Sequence, residues 1–199
     1  FDDAISVRSL GSNDFEIGIH IADVSHYVVE GNLLDKEARK RNFSIYLVDR
    51  TIPMLPEVLS NDLCSLNPHE DKLAFSAVFV MNREAKIKSR WFGKTIINSD
   101  KRFSYEEAQK SIDQHGQYEK ELKVLKSLAE KLREDKFIKG AIDFEQDEIR
   151  FELDRDGRPL RIIKKERLDT HKLIEDFMLL ANKEVAEFMY TKNRAKNIN

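Results

Sequence analysis

A chain of 199 residues, 41% of them hydrophobic, can bury one substantial core or at most two small ones. With 34 Lys+Arg against 36 Asp+Glu, the net charge of -2 excludes a polyanion binder driven by bulk positive charge, so any nucleic acid would need a local groove. One cysteine excludes an internal disulfide framework, and no run approaches ~18 apolar residues, so a soluble, cytoplasmic protein without membrane contact is expected.

Ile5 and Val7 predict a short first strand. Phe15, Ile17, Ile19 and Ile21, alternating with Glu16, Gly18 and His20, predict a half-buried second one. Gly11-Ser12-Asn13-Asp14 between them has the residues of a hairpin loop. A helix with charges on most faces is expected over 33–42, then a short strand over 43–48. Over 51–68, Pro53, Pro56 and Pro68 stiffen the backbone while Leu55, Val58, Leu59, Leu63 and Leu66 supply packing, the composition of a structural wall. Cys64, in DLCSL, reads as a small buried residue there.

The nearly unbroken apolar run 74–81 predicts a strand buried on both faces, paired through a turn at 82–85 with a strand ending near 97. Ser104 is placed to cap a helix. A second helix over 117–137 carries Leu122, Leu125, Leu128, Ala129 and Leu132 on one stripe. Short strands are expected over 141–145, 148–153 and 160–165, with Asp156-Gly157 as a hairpin turn. Leu173, Ile174, Phe177, Leu180, Ala181, Val185 and Phe188 keep helical spacing over 170–190. The polar residues 191–199 are expected to be a linker or a cut end. Strands, helices, strands, helix, without regular βαβ alternation, predict an α+β fold with a mixed or largely antiparallel sheet flanked by helices.

Few motifs carry chemistry. There is no phosphate-cradling glycine loop and no G-x-S-x-G elbow, and His20, His26, His69, His115 and His171 are scattered without zinc-ligand spacing. His20, Asp23 and His26 stand three apart, which on a strand sends neighbours to opposite faces. Carboxylates remain. Asp2 and Asp3 are adjacent short acids with no adjacent basic residue, and Mg²⁺ takes one or two carboxylates plus water and substrate phosphate. In a regular strand the two would point to opposite faces, Asp3 sharing parity with Ile5 and Val7. Solvated acids at a fraying end are the competing reading.

FDDAISV, HIADVSHYV, LDKEARKRNFSIYL, IPMLPEVLSNDLCSLNP, GAIDFE and DTHKLIEDFMLLAN together resemble the catalytic (RNB) domain of the ribonuclease II/ribonuclease R family of 3′-to-5′ exoribonucleases. They span nearly the whole chain in the family's order, with wording nearer the ribonuclease R branch. The resemblance implies that Asp2 and Asp3 are the last two of four family aspartates and help to hold Mg²⁺ against the scissile phosphate. It implies that Tyr46 stacks on the 3′-terminal nucleotide, that Phe144 closes the other side of the base stack, and that Tyr105 also faces RNA. Two earlier aspartates would lie before Phe1. A T-S-P-I-R-x-Y motif, a following glutamate and flanking OB-type domains are not present in these residues.

The expectation is therefore a partial RNB domain, its N-terminal half, from an enzyme that degrades single-stranded RNA with Mg²⁺ as its only cofactor. The 199 residues alone are expected to be inactive. The alternatives are a catalytically dead RNA-binding module of the same family and a stand-alone structural domain.

Overall fold

Ile17 and Ile19 are buried as their alternation predicts, but Gly18 and His20 are buried on the other face and Ile21 is 42% exposed, so the second strand is not simply half-buried. The computed structural model describes residues 1–142, 149–164 and 166–195. In chain order come β1 (Asp3–Gly11), β2 (Asp14–Ala22), α1 (Val24–Tyr27) and α2 (Leu33–Arg41). Two-residue strands β3 (Ile45–Tyr46) and β4 (Thr51–Ile52) follow, then a π-helical turn over Val58–Leu63. Next are β5 (Asp71–Asn82), β6 (Ile87–Asn98), α3 (Tyr105–Asp113) and α4 (Glu119–Ile138). Last come β7 (Ile149–Leu153), β8 (Pro159–Lys164) and α5 (Asp169–Ala195).

Among the described residues, the main sheet is antiparallel throughout, in the order β1-β2-β5-β6. The first turn takes positive φ at Gly11, Ser12 and Asn13, which glycine and asparagine accept readily. At the β5–β6 turn the Asn82 side chain accepts the N–H groups of Glu84 and Lys86, closing the hairpin as an Asx turn. The register sets Ile17 opposite Val7 and Phe79, and Ile19 opposite Ile5 and Ala77. This face packs on Leu125, Leu128 and Ala129 of α4 and on Leu173, Phe177 and Leu180 of α5. The opposite face, at the end bearing Ala22 and Ala74, packs on Leu59, Cys64 and Leu66 from the proline-framed segment.

Ser104 caps α3 as expected, accepting the Glu107 N–H while the Glu107 carboxylate accepts the Ser104 N–H. Asp176, buried in α5, pairs with Arg133 at 2.7 Å and Lys136 at 3.4 Å, tying α5 to α4. Among the described residues no helix is long and apolar enough to cross a membrane.

Several boundaries differ from the sequence expectation. The strand expected over 43–48 shrinks to Ile45–Tyr46, because its only partner among the described residues is the two-residue β4. The run 74–81 is central but not buried on both faces throughout, since Phe75 is 43% exposed. Val58 and Leu63 face outward, leaving the wall's packing to Leu55, Leu59 and Leu66. Helix α5 continues through Ala195, so 191–195 belongs to it, while 196–199 lies outside the described residues. Most of the strand expected over 141–145 also lies outside them.

Two residues of α5 separate core packing from helix propensity. Phe177 is fully buried and Leu179 is 51% exposed. Phe177→Ala is expected to cost about 3–5 kcal/mol in urea unfolding, against less than about 1 kcal/mol for Leu179→Ala. Equal shifts of the unfolding midpoint would contradict the placement of α5 over the sheet.

Candidate active site

The two acids stand where the chain enters β1, and that entry is held by backbone hydrogen bonds. The Phe1 carbonyl accepts the Leu66 N–H at 2.8 Å, and the Asp2 carbonyl accepts the Ala22 N–H at 2.9 Å. Asp3 then lies opposite Ile21 in the ladder. Fraying, the competing reading, does not describe this segment.

Strand parity separates the two side chains. Asp3 shares its face with Ile5 and Val7 and lines a cavity of 660 Å³ together with Phe1, Arg102, Tyr105, Leu125 and Thr170. Asp2 has the other parity, and its charge is felt at Cys64 on the second core. Burial first, then the carboxylates of Asp2 and Asp23, push the Cys64 thiol up, so it is an inert packing residue. Burial also raises the Asp3 carboxyl, with the charge of Asp2 adding to the effect.

Tyr105 opens α3 and shares the cavity with Asp3. Its ring stacks on His171 at 4.0 Å with planes 18° apart, and its carbonyl accepts the Thr170 hydroxyl at 2.9 Å. Helix α3 and the start of α5 are thereby joined on one wall. Tyr46 lies elsewhere. It sits on β3, 79% exposed, beside outward-facing Phe43, Leu47 and Val48, and it does not line the cavity. Phe144 lies outside the described residues.

The spaced set His20, Asp23 and His26 is dispersed into structural roles. Strand β2 ends at Ala22, so the three do not share one strand. His20 bridges Ser6 and Ser76, at 2.9 and 2.6 Å. A Cβ at Gly18 would come within 2.6 Å of His20 Nε2, so glycine is what lets the ring lie across β2. Asp23 pairs with Lys94 at 2.8 Å and accepts the Ser25 hydroxyl at 2.6 Å, contacts that hold its carboxyl below the usual range. His26 meets the Tyr27 ring edge-on.

Two cavity cations, Lys101 and Arg102, were not singled out by sequence reasoning. The Arg102 guanidinium lies 3.8 Å above the Phe1 ring centroid. The signal, in retrospect, is KRF next to the Ser104 cap, but its meaning needs Phe1, a hundred residues away.

The donor set can be tested against Mg²⁺. Among the described residues, no three His, Cys, Asp or Glu side chains converge as a cation site. A magnesium ion shared with a phosphate needs only one or two carboxylates. Asp3 in the cavity, with its carboxyl raised by burial and by Asp2, is an oxygen donor whose ionisation a cation would favour. The residues fit that mode and not a closed all-protein cage.

The family model of the RNB domain matches residues 1–198. The chain belongs to the RNB family. It is 43% identical over 98% of its length to DIS3-like exonuclease 2 of Schizosaccharomyces pombe, covering 23% of that protein. It is 39% identical over 99% of its length to the inactive exonuclease DIS3L2 of Arabidopsis thaliana, covering 20% of it. Mycoplasma genitalium RNase R, solved in complex with ribose-methylated single-stranded RNA, superposes with a TM-score of 0.89 at 30% identity, over 98% of this chain and 31% of that one. The RNB chain thus spans less than a third of the length of each of these relatives. The antiparallel sheet with flanking helices agrees with the fold expected from sequence.

The raised Asp3 carboxyl has a consequence for stability. The folded state holds the Asp3 proton more tightly than the unfolded chain, so ionising Asp3 at neutral pH opposes folding. Asp3→Asn is therefore expected to raise the melting temperature in EDTA at pH 7. The difference should shrink as pH falls to the point where the unfolded carboxyl is protonated too. A lower melting temperature for Asp3→Asn in EDTA would contradict the burial.

Proposed function

We propose that this chain is part of the catalytic domain of a Mg²⁺-dependent exoribonuclease that degrades single-stranded RNA processively from the 3′ end. One observation carries the reading. Asp3, fixed by the β1–β2 ladder, lines a cavity shared with Tyr105 and two cations, a setting for a phosphodiester beside a carboxylate.

In this reading water attacks the last phosphodiester, its P–O3′ bond breaks, and the terminal nucleotide leaves as a 5′-monophosphate. Asp3 would hold Mg²⁺ from inside the cavity, and Asp2, whose parity sends it to the other face, would join it only where the chain turns into β1. The ion when bound would stabilise charge on the attacking and leaving oxygens. Tyr105 faces the RNA strand inside the cavity. Tyr46, exposed on its short hairpin, offers a ring face on which any base can stack, for about 1–3 kcal/mol without sequence choice. Phe144 closes the same stack from the other side. The 199 residues alone are inactive in this reading, because the metal cage takes further aspartates. A reducing, cytoplasmic setting belongs to the same proposal.

The second reading is a catalytically dead RNA-binding module, favoured by the 39% identity to a relative named as an inactive exonuclease. Asp2 and Asp3 at the mouth of β1 favour the enzyme. The full-length protein decides between them. Incubated with Mg²⁺ and a labelled single-stranded RNA, it is expected to release 5′-mononucleotides, and Asp3→Asn to lower that rate by at least about 10³-fold while retaining RNA binding. RNA binding without any release by the unsubstituted protein would establish the second reading. In the same assay Tyr46→Ala is expected to lengthen the final product by one or more nucleotides. An unchanged end product would remove Tyr46 from the strand's path.

A further inference from the structure

The cavity holds two cations whose placement the acids do not explain. Several cations that tie elements of this chain together meet carboxylates: Lys94 meets Asp23, Lys126 meets Asp169, and Arg133 meets Asp176. Lys101 and Arg102 have no acidic partner among the described residues, yet both line the cavity that Asp3 lines. Arg102 is exposed, yet its guanidinium is placed. Its guanidinium carbon stands 3.8 Å from the Phe1 ring centroid, a cation–π contact, and no hydrogen bond among the described residues uses its N–H donors.

The stack is tied to the strand that carries the acids. Leu66 donates its N–H to the Phe1 carbonyl, so the ring beneath Arg102 is positioned by the backbone of the second core. Phe1 and Asp3 stand two residues apart along the chain, which in extended backbone is a step of about 7 Å on one face. A planar guanidinium seated on Phe1, in the cavity that the Asp3 carboxylate also lines, suits a tetrahedral oxyanion. A second cation beside it adds charge without fixing geometry.

We propose that Arg102, seated on Phe1, binds a backbone phosphate of the RNA strand in this cavity, with Lys101 as an auxiliary charge. The proposal rests on the reading that the cavity receives RNA, but not on the strand being cleaved. Arg102 is a substrate-binding residue here and takes no part in proton transfer.

The test measures affinity of the full-length protein for a single-stranded RNA across a KCl series in EDTA, where cleavage is suppressed. Arg102→Gln is expected to weaken binding roughly tenfold or more and to make the slope of log affinity against log salt shallower by about 0.7, the loss of one phosphate contact. Arg155→Gln removes a charge from the exposed β7–β8 turn and is expected to change neither quantity. Arg102→Lys keeps the charge but not the planar fork, so it should restore the slope while leaving affinity severalfold weaker. It also carries the test if Arg102→Gln fails to fold.

Weaker binding of Arg102→Gln with an unchanged salt slope would show a merely structural stack and overturn the proposal, as would unchanged affinity. A mononucleotide product shares the phosphate chemistry. If Arg102→Gln weakened competition by adenosine 5′-monophosphate and left strand affinity intact, the strand assignment would be overturned. A protein that binds RNA with this Arg102 dependence but never cleaves it refutes the nuclease reading and leaves the phosphate site standing.

Discussion

Two backbone hydrogen bonds, from Ala22 to the Asp2 carbonyl and from Leu66 to the Phe1 carbonyl, pin the start of the chain to the end of β2 and to the second core. With Asp3 opposite Ile21, side-chain direction is then decided by strand parity. A one-residue slip would turn Asp3 out of the cavity, but it would also turn Ile5 and Val7 away from the helices. The fully buried Ile17 and Ile19 oppose such a slip, because their contacts with α4 and α5 depend on the same register. The hydrophobic core and the orientation of the acid are therefore one constraint.

The electrostatics sort the acids into two kinds. Asp23 and Asp176 are buried more completely than Asp3, and each meets a cation at less than 3 Å. These are structural acids, whose desolvation is offset inside the chain. Asp3 has no Lys or Arg partner among the described residues, and the largest charged influence on it is the Asp2 carboxylate, opposed in part by the amino group of Phe1. An acid arranged this way is poised for a cation from outside the fold, and that distinguishes it from the thirty-odd other carboxyl groups better than position in the sequence does.

Much of the fold is legible in the sequence because it depends on local rules. The Gly11–Asp14 turn, the Ser104 cap and the leucine stripe of α4 each report short-range physics and appear where that physics places them, whereas the alternation over 15–21 gives the strand but not its burial. The 43–48 strand depended on a partner that turned out to be two residues long, so periodicity overstated it. Val58 and Leu63 are apolar but fall on the outward side of a π-helical turn, whose period no alternation reveals. The candidate site was legible in part. Asp2 and Asp3 stood out as an acid pair, and Tyr105 entered through the family resemblance. That Asp3, Arg102 and Tyr105 meet in one cavity follows from how α3 packs on α4 and α5, with α4 against β1, a long-range fact that no local pattern contains. Tyr46 and Asp3, close in presumed role, are not brought together by the described residues.

The most direct measurement is the pH titration of the Asp3 carboxyl carbon by NMR, without divalent ions and again with Mg²⁺. Asp3 should titrate above the usual carboxylate range in the metal-free protein and fall clearly below that value once Mg²⁺ is added. A carboxyl that titrates in the ordinary range and ignores Mg²⁺ would contradict the account of Asp3 as the buried, cation-seeking acid on which the site is built.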